Sequence, residues 1–194
     1  MNSYNSKTIS NIISQIDLLQ DDISAVRILI NDLTEIFFSS IQDKNPSKNY
    51  IPIIVLRGGL LCFNAAAKVF KNPIGLVLPT KNMSIAYDKF FADIPRQKDG
   101  DTYLIIDTIC NSGGTIIDCL ESLSKHGIDI VNCELCYIFG SKLATENIQK
   151  YSSNISVHYV KNDYVKGPDG FLIGIDYDAG QYAVNQKNRD RIVI

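Results

Sequence analysis

Tyr103-Leu104-Ile105-Ile106-Asp107-Thr108-Ile109-Cys110-Asn111-Ser112-Gly113-Gly114-Thr115 is the stretch whose reading decides the fold. Leu104, Ile105 and Ile106 form an unbroken apolar run, which suits a strand buried on both faces of a parallel sheet. Asp107 falls at the carboxyl end of that strand. Asn111 to Thr115 then brings small side chains, glycines and hydroxyls directly ahead of the helical pattern Ile116, Ile117, Leu120, Leu123. Such a loop opens backbone N–H groups at a helix N-terminus, where the positive end of the dipole favours a phosphate. Taken alone, it also reads as an ordinary strand-to-helix turn with a Ser or Thr cap.

A second segment, Ile53-Ile54-Val55-Leu56-Arg57-Gly58-Gly59, places Arg57 50 residues upstream of Asp107. Arginine offers a planar, permanently charged fork that matches phosphate oxygens. Gly58 and Gly59 leave their amides free to approach an anion. Leu60, Leu61, Phe63, Ala66, Ala67 and Phe70 continue in a helical pattern. Two strand-to-helix turns of this kind point to a phosphorylated sugar held between two loops; an arginine capping the sheet edge is the plainer alternative.

Around these segments the pattern predicts helices over 7–18 and 22–42 and strands near 52–56, 74–78, 103–107, 128–138 and 155–160, mostly separated by helices. Alternation of this sort implies right-handed crossovers and an α/β fold, a parallel sheet flanked by helices. Ligands in such sheets bind beyond the carboxyl ends of the strands, where Arg57 and Asp107 both fall. The aromatic and charged stretch 85–91 reads by its composition as a surface hairpin. Segment 161–183, rich in Gly and Asp, reads as a small C-terminal hood.

A chain of 194 residues, 45% hydrophobic, is sized for one domain over 1–194, with an N-terminal helical part over 1–45. A net charge of −2 and a pI near 5.6 supply no field for a nucleic-acid backbone. The start Met1-Asn2-Ser3-Tyr4 lacks a cationic segment followed by an apolar one, and no apolar run approaches the roughly 20 residues that span a bilayer. The expectation is therefore a cytoplasmic protein without membrane or nucleic-acid partners. Cys133 and Cys136 have zinc-ligand spacing but lie in Ile128 to Phe139, a strand pattern that would send the two thiols to opposite faces. Cys62, Cys110 and Cys119 complete a set expected to be reduced and structural, with Cys110, inside the loop, the one open to alkylation. His126 reads as a helix C-terminal cap and His158 as a strand residue, so neither is assigned to catalysis.

Asp-x-x-x-x-Ser-Gly-Gly-Thr after an apolar strand resembles the phosphoribosyl-diphosphate (PRPP) motif of the type I phosphoribosyltransferases. Leu56-Arg57-Gly58-Gly59-Leu60 is similar to the Leu-Arg-Ala-Gly-Leu diphosphate loop of uracil phosphoribosyltransferases. Gly170-Phe171-Leu172-Ile173 and Asp178-Ala179-Gly180 resemble that family's base-binding segment, and Asp163 keeps the family's seven-residue offset from Gly170. Leu19, Asp21 and Arg27 echo its N-terminal motifs, so the matches run in order from Leu19 to Ala183. Departures occur at Gln20, at Leu78, at Gly174-Ile175, at Tyr177 and at Gln181. They remove two arginines and alter the base segment, and Lys81, Lys89 or Arg96 are candidates to restore the charge.

The resemblance implies a type I phosphoribosyltransferase fold with a mobile flap over 85–91 and a hood over 161–183, working as a homodimer paired through N-terminal helices. It implies transfer of phosphoribose from PRPP to a pyrimidine-type base, with uracil giving UMP and diphosphate. Arg57, Asp107 and Asp178 would be catalytic. Arg57, Gly58, Gly59, Asp107, Asn111, Ser112, Gly113, Gly114 and Thr115 would bind PRPP, and Phe171, Leu172, Ile173 and Asp178 the base. Mg2+ would enter on PRPP, without ligands supplied directly by the protein. A same-fold transferase with another acceptor, and a non-catalytic PRPP or nucleotide binder, remain alternatives.

Overall fold

The computed structural model describes residues 3–19, 21–79, 91–168, 171–175 and 179–183. Two N-terminal helices come first, α1 (Ser3–Leu18) and α2 (Ile23–Lys44). Asp22 caps α2 by accepting a hydrogen bond from the Ala25 amide at 3.0 Å, which satisfies a donor that the first turn cannot pair internally. Val26, Ile30, Leu33, Phe37 and Ile41 recur at three- and four-residue spacing and are all buried, as one face of a helix laid on a core must be.

The chain then builds β1 (Asn49–Val55), a 3-10 turn over Gly58–Cys62, α3 (Phe63–Val69) and β2 (Gly75–Leu78). After them come the short β3 (Phe91–Asp93), β4 (Asp101–Cys110), α4 (Gly114–Lys125), β5 (Cys133–Ser141), α5 (Lys142–Tyr151), β6 (Ser156–Tyr164) and α6 (Ala179–Ala183). The strands form one sheet in the order β3-β2-β1-β4-β5-β6. All neighbours are parallel except β2 and β3.

Side chains of the central strands alternate between two cores. Leu104, Ile106 and Cys136 pack with α1, α2 and α3 on one face, while Tyr103, Ile105 and Cys133 pack with α4 and α5 on the other. Burial on both faces explains why these strands read as continuous apolar runs. Fully buried side chains such as Ile30 and Phe38 each contribute roughly 2 kcal/mol by leaving water. Sequential strands lie on either side of β1, so the order reverses between β1 and β4, and the carboxyl ends of that pair form the crevice in which such sheets hold ligands.

Several expectations need correction. The strand expected at 103–107 runs from Asp101 to Cys110, so Asp107 is inside it. The strand expected from 128 begins only at Cys133, because Ile130–Asn132 form a 3-10 turn. There the Asp129 carboxylate accepts from the Val131 amide at 3.0 Å, and this local turn outcompetes an extended start. The hood expected over 161–183 starts later, since residues 161–164 belong to β6. The flap stretch 85–90, Lys81 and Lys89 lie outside the described residues. Arg96 is described, but it follows the antiparallel β3, whose Asp93 pairs with Leu76. It therefore lies toward the amino ends of the parallel strands, away from Asp107, and cannot restore charge at the crevice.

Candidate active site

Pairing between β1 and β4 ends at Ile54 and Ile106. Beyond that register β4 continues to pair with β5, Asp107 opposite Tyr137. The side of β4 vacated by β1 is taken by the turn that carries Arg57, Gly58 and Gly59. The fit is close: a Cβ on Gly58 would stand 2.9 Å from Asp107 Oδ1 and 3.4 Å from the Ala179 Cβ, and one on Gly59 would stand 2.7 Å from the Ile106 carbonyl oxygen. The Leu56–Arg57 peptide is cis. The structure thus brings together the two loops that the sequence singled out, with the start of α6 against them.

Asp107 is 8% exposed, and its Oδ1 accepts from the Thr108 amide at 2.8 Å. Thr108, which the sequence reading passed over, donates its hydroxyl to the Gly58 carbonyl at 2.8 Å and lies 3.4 Å from the Cys62 sulfur. Thr34 of α2 donates to the Ile30 carbonyl at 2.6 Å and reaches the same sulfur at 3.9 Å. This buried polar chain ties α2, the 3-10 turn and β4 to the carbonyl side of Gly58. Arg57 itself is exposed and makes no ion pair with any described residue, so its guanidinium is a solvated cation at the rim.

On the other side of the crevice, Gly113 takes φ +78° and caps α4, a backbone region that an L side chain rarely enters. Its carbonyl accepts the Ile117 amide at 2.9 Å. The amides of Gly114, Thr115 and Ile116 precede the first such bond and so have no acceptor within the helix. The loop carbonyls face away: Asn111 O accepts from the Ser141 hydroxyl and Ser112 O accepts from Asn147 Nδ2 at 3.0 Å. Ser141 bore a legible sign, a serine between a strand and a helix; Asn147 bore none.

Contrary to the expectation that Cys110 is open to alkylation, it is 3% exposed. Burial, with Asp107 nearby, pushes its thiol far above the usual range. The residue sits at the last position of β4, so its side chain belongs to the core although its neighbours form the loop. Cys62 and Cys133 are each pushed up to about 12, mainly by burial, and Cys133 and Cys136 do enter opposite cores.

In the hood, an isolated antiparallel bridge joins Lys166 to Leu172. The Gly167 amide donates to Phe171 O at 2.6 Å and the Ile173 amide to Val165 O at 2.8 Å. Leu172 is buried, whereas Phe171 and Ile173 are 43% and 61% exposed, so the two outward side chains flank an inward one. Gly174 takes φ +85°. Asp178, Gly170 and Tyr177 lie outside the described residues, as does Gln20. Arg27 lines a cleft of about 410 Å3 with Asn31, Leu60 and Asn64, between α2 and the 3-10 turn.

A doubly wound sheet with an arginine-glycine turn, a buried carboxylate and a glycine-capped helix N-terminus at its switch point defines the type I phosphoribosyltransferase class of fold. Residues 30–165 match the uracil phosphoribosyltransferase family, and the chain belongs to that family. A uracil phosphoribosyltransferase of Thermococcus kodakarensis is 24% identical over 148 residues, covering 73% of this chain and 63% of that protein. The chain therefore spans less than two thirds of that relative. A solved structure from Aquifex aeolicus superposes with TM-score 0.73 at 15% identity, covering 91% of this chain and 93% of that one. The APRTase of Giardia lamblia (TM-score 0.53, 15% identity, 75% and 85% covered) and the orotate phosphoribosyltransferase of Aeropyrum pernix (0.51, 15%, 74% and 75%) share the fold.

Proposed function

We propose that this protein transfers phosphoribose from PRPP to a pyrimidine-type base, with uracil the first acceptor to test and UMP and diphosphate the products. One observation carries the reading: Gly58 and Asp107 abut across the β1/β4 switch point, with the amide-rich start of α4 closing the same crevice.

The chemistry breaks the anomeric C–O bond, so negative charge grows on the departing diphosphate and positive charge on the ribose, and a site must stabilise both in place. Arg57 and the Gly58 and Gly59 amides face the diphosphate in this scheme. Asp107 accepts hydrogen bonds from the ribose hydroxyls and sets a negative potential beside the cationic carbon. Residues Asn111 to Thr115 grip the 5′-phosphate, which fixes the sugar for attack by the base nitrogen as that nitrogen sheds its proton. The Leu172 and Ile173 main chain reads the base edge, Phe171 packs on the ring, and Asp178 stands near both. The buried Asp107 carboxylate keeps the crevice negative, which suits Mg2+ carried in on the PRPP phosphates without a ligand from the protein. Bound there, the ion would neutralise diphosphate charge.

A second acceptor class is favoured by Gly174, whose left-handed backbone stands where the family has proline. The non-catalytic alternative predicts PRPP binding without release. A homodimer through the N-terminal helices belongs to the same reading, since Leu18 and Ile28 expose 83% and 63% of their surface.

Incubation with PRPP, Mg2+ and a panel of bases, following diphosphate, separates these readings. Release with uracil supports the proposal, and release with another base alone moves the acceptor. Saturable PRPP binding without release leaves a binder, and no binding of PRPP overturns the whole reading.

A further inference from the structure

The loop between β4 and α4 is moulded against α5. Ser141, the cap of α5, accepts from the Ala144 amide at 3.1 Å while its hydroxyl donates to Asn111 O. Asn147, two turns along, donates through Nδ2 to Ser112 O at 3.0 Å. Between them, the Ala144 carbonyl and Ile148 Cγ1 stand 3.0 and 3.1 Å from where a Gly113 Cβ would be. Positions 141, 144, 147 and 148 share one face of a helix, so a single surface of α5 meets three consecutive loop residues.

This contact bears on anion binding. A trans peptide points its C=O and N–H in opposite directions; tying Asn111 O to α5 therefore sends the Ser112 amide to the other side. Were the Asn111 or Ser112 carbonyl to swing outward, its lone pairs would face the anion and repel it. The two side-chain donors also satisfy carbonyls that would otherwise lose water without compensation. Neither Ser141 nor Asn147 belongs to the loop; both meet it from the α5 side, through its carbonyls.

We infer that Ser141 and Asn147 are positioning residues for the 5′-phosphate of the sugar substrate: they hold the Asn111 and Ser112 carbonyl oxygens back from the anion. The inference rests on the reading of Asn111 to Thr115 as the phosphate cradle, and the experiment separates the two.

Ribose 5-phosphate and, separately, diphosphate with Mg2+ are titrated into the wild-type chain and into Asn147→Ala, Asn147→Asp, Asn147→Gln and Ser141→Ala, with thermal midpoints recorded for each. The expected result is that Asn147→Ala weakens ribose 5-phosphate binding by about tenfold, the scale of one lost hydrogen bond, and leaves diphosphate affinity within about twofold. Asn147→Asp, the same shape without the donor, weakens it further, and Asn147→Gln recovers part. In turnover, KM for PRPP rises more than kcat falls. Equal ribose 5-phosphate affinity in wild type and Asn147→Ala overturns the inference and leaves the cradle standing. A parallel loss of both ligands with a lowered midpoint also overturns it, because the side chain is then only structural. If wild type itself fails to bind ribose 5-phosphate while binding diphosphate, the cradle reading is what falls, and the inference with it. Ser141→Ala removes the α5 cap as well, so Asn147 decides the outcome.

Discussion

Gly58 and Asp107 are in mutual contact across the crevice, with no room for a methyl group: a Cβ on Gly58 would lie 2.9 Å from Asp107 Oδ1. The carboxylate, which accepts from the Thr108 amide on one side, is a side chain that can turn to admit the methyl, but only by leaving its place in the crevice. Gly58→Ala is expected to cut turnover by at least roughly tenfold while shifting the melting midpoint by less than about 3 °C, the equivalent of about 1 kcal/mol. Gly59→Ala should behave oppositely, because its Cβ would meet the Ile106 carbonyl at 2.7 Å and Ile54 at 3.1 Å, backbone and core that do not yield. A loss of roughly 2 kcal/mol or more in denaturant titration is the expectation there. Equal stability of the two variants would contradict this division.

Arg57→Ala and Asp107→Asn are expected to abolish diphosphate release with the far-ultraviolet circular dichroism unchanged. Arg57 is solvent-exposed, so its removal costs little stability, and Arg57→Lys should restore only part of the rate because an ammonium lacks the bidentate fork. Wild-type rates in either Arg57→Ala or Asp107→Asn would remove these residues from the chemistry.

Glu134 governs the acid stability of the opposite end of the sheet. Burial alone would raise its carboxyl, but hydrogen bonds from His158, Lys48 and Tyr50 outweigh that and draw it from 4.5 down to about 2. A carboxyl lowered by folding stabilises the native state above its unfolded value and loses that contribution as pH falls toward the folded one. Denaturant midpoints of the wild type should therefore fall between about pH 4.5 and 2. Glu134→Gln should lose roughly 2–3 kcal/mol at pH 7, and its pH dependence in that window should flatten. The side chain is only 8% exposed, so salt should screen the effect weakly. A Gln variant with the same acid profile as wild type would assign the loss to other carboxylates.

The thiols should be unreactive in the folded protein. All five cysteines are free and buried, and burial holds Cys62 and Cys133 near 12. Thiol titration is expected to be slow in buffer and complete in denaturant. Cys133→Ser should cost about 1 kcal/mol or less, since a hydroxyl can keep the contact to the Asp129 carbonyl that the sulfur makes at 3.8 Å. Fast modification of Cys110 would mean that the loop opens in solution.

The candidate site was legible where its physics is local. An apolar run, an acid and a glycine-rich turn are contiguous in sequence, and Gly113 does take the left-handed conformation that its residue type permits. Misreadings arose where a neighbouring element decided the outcome. Cys110 looked like a loop residue, but pairing with Gly140 extends β4 to include it. Ile128 to Asn132 looked extended, but the Asp129 side chain offered the backbone a turn, leaving Val131 71% exposed. Arg96 looked close to the flap, and the antiparallel β3 carries it to the other end.

By itself the sequence determined the α/β class, the two strand-to-helix turns and the residues they carry, because helix periodicity, strand apolarity and glycine's backbone freedom act over a few residues. Only the tertiary structure decided that Gly58 touches Asp107, that Thr108 anchors the opposite loop and that α5 moulds the turn ahead of α4. Those contacts join residues some 30 to 50 positions apart, and such pairings exist only once the sheet order has been set by burying two hydrophobic faces at the same time.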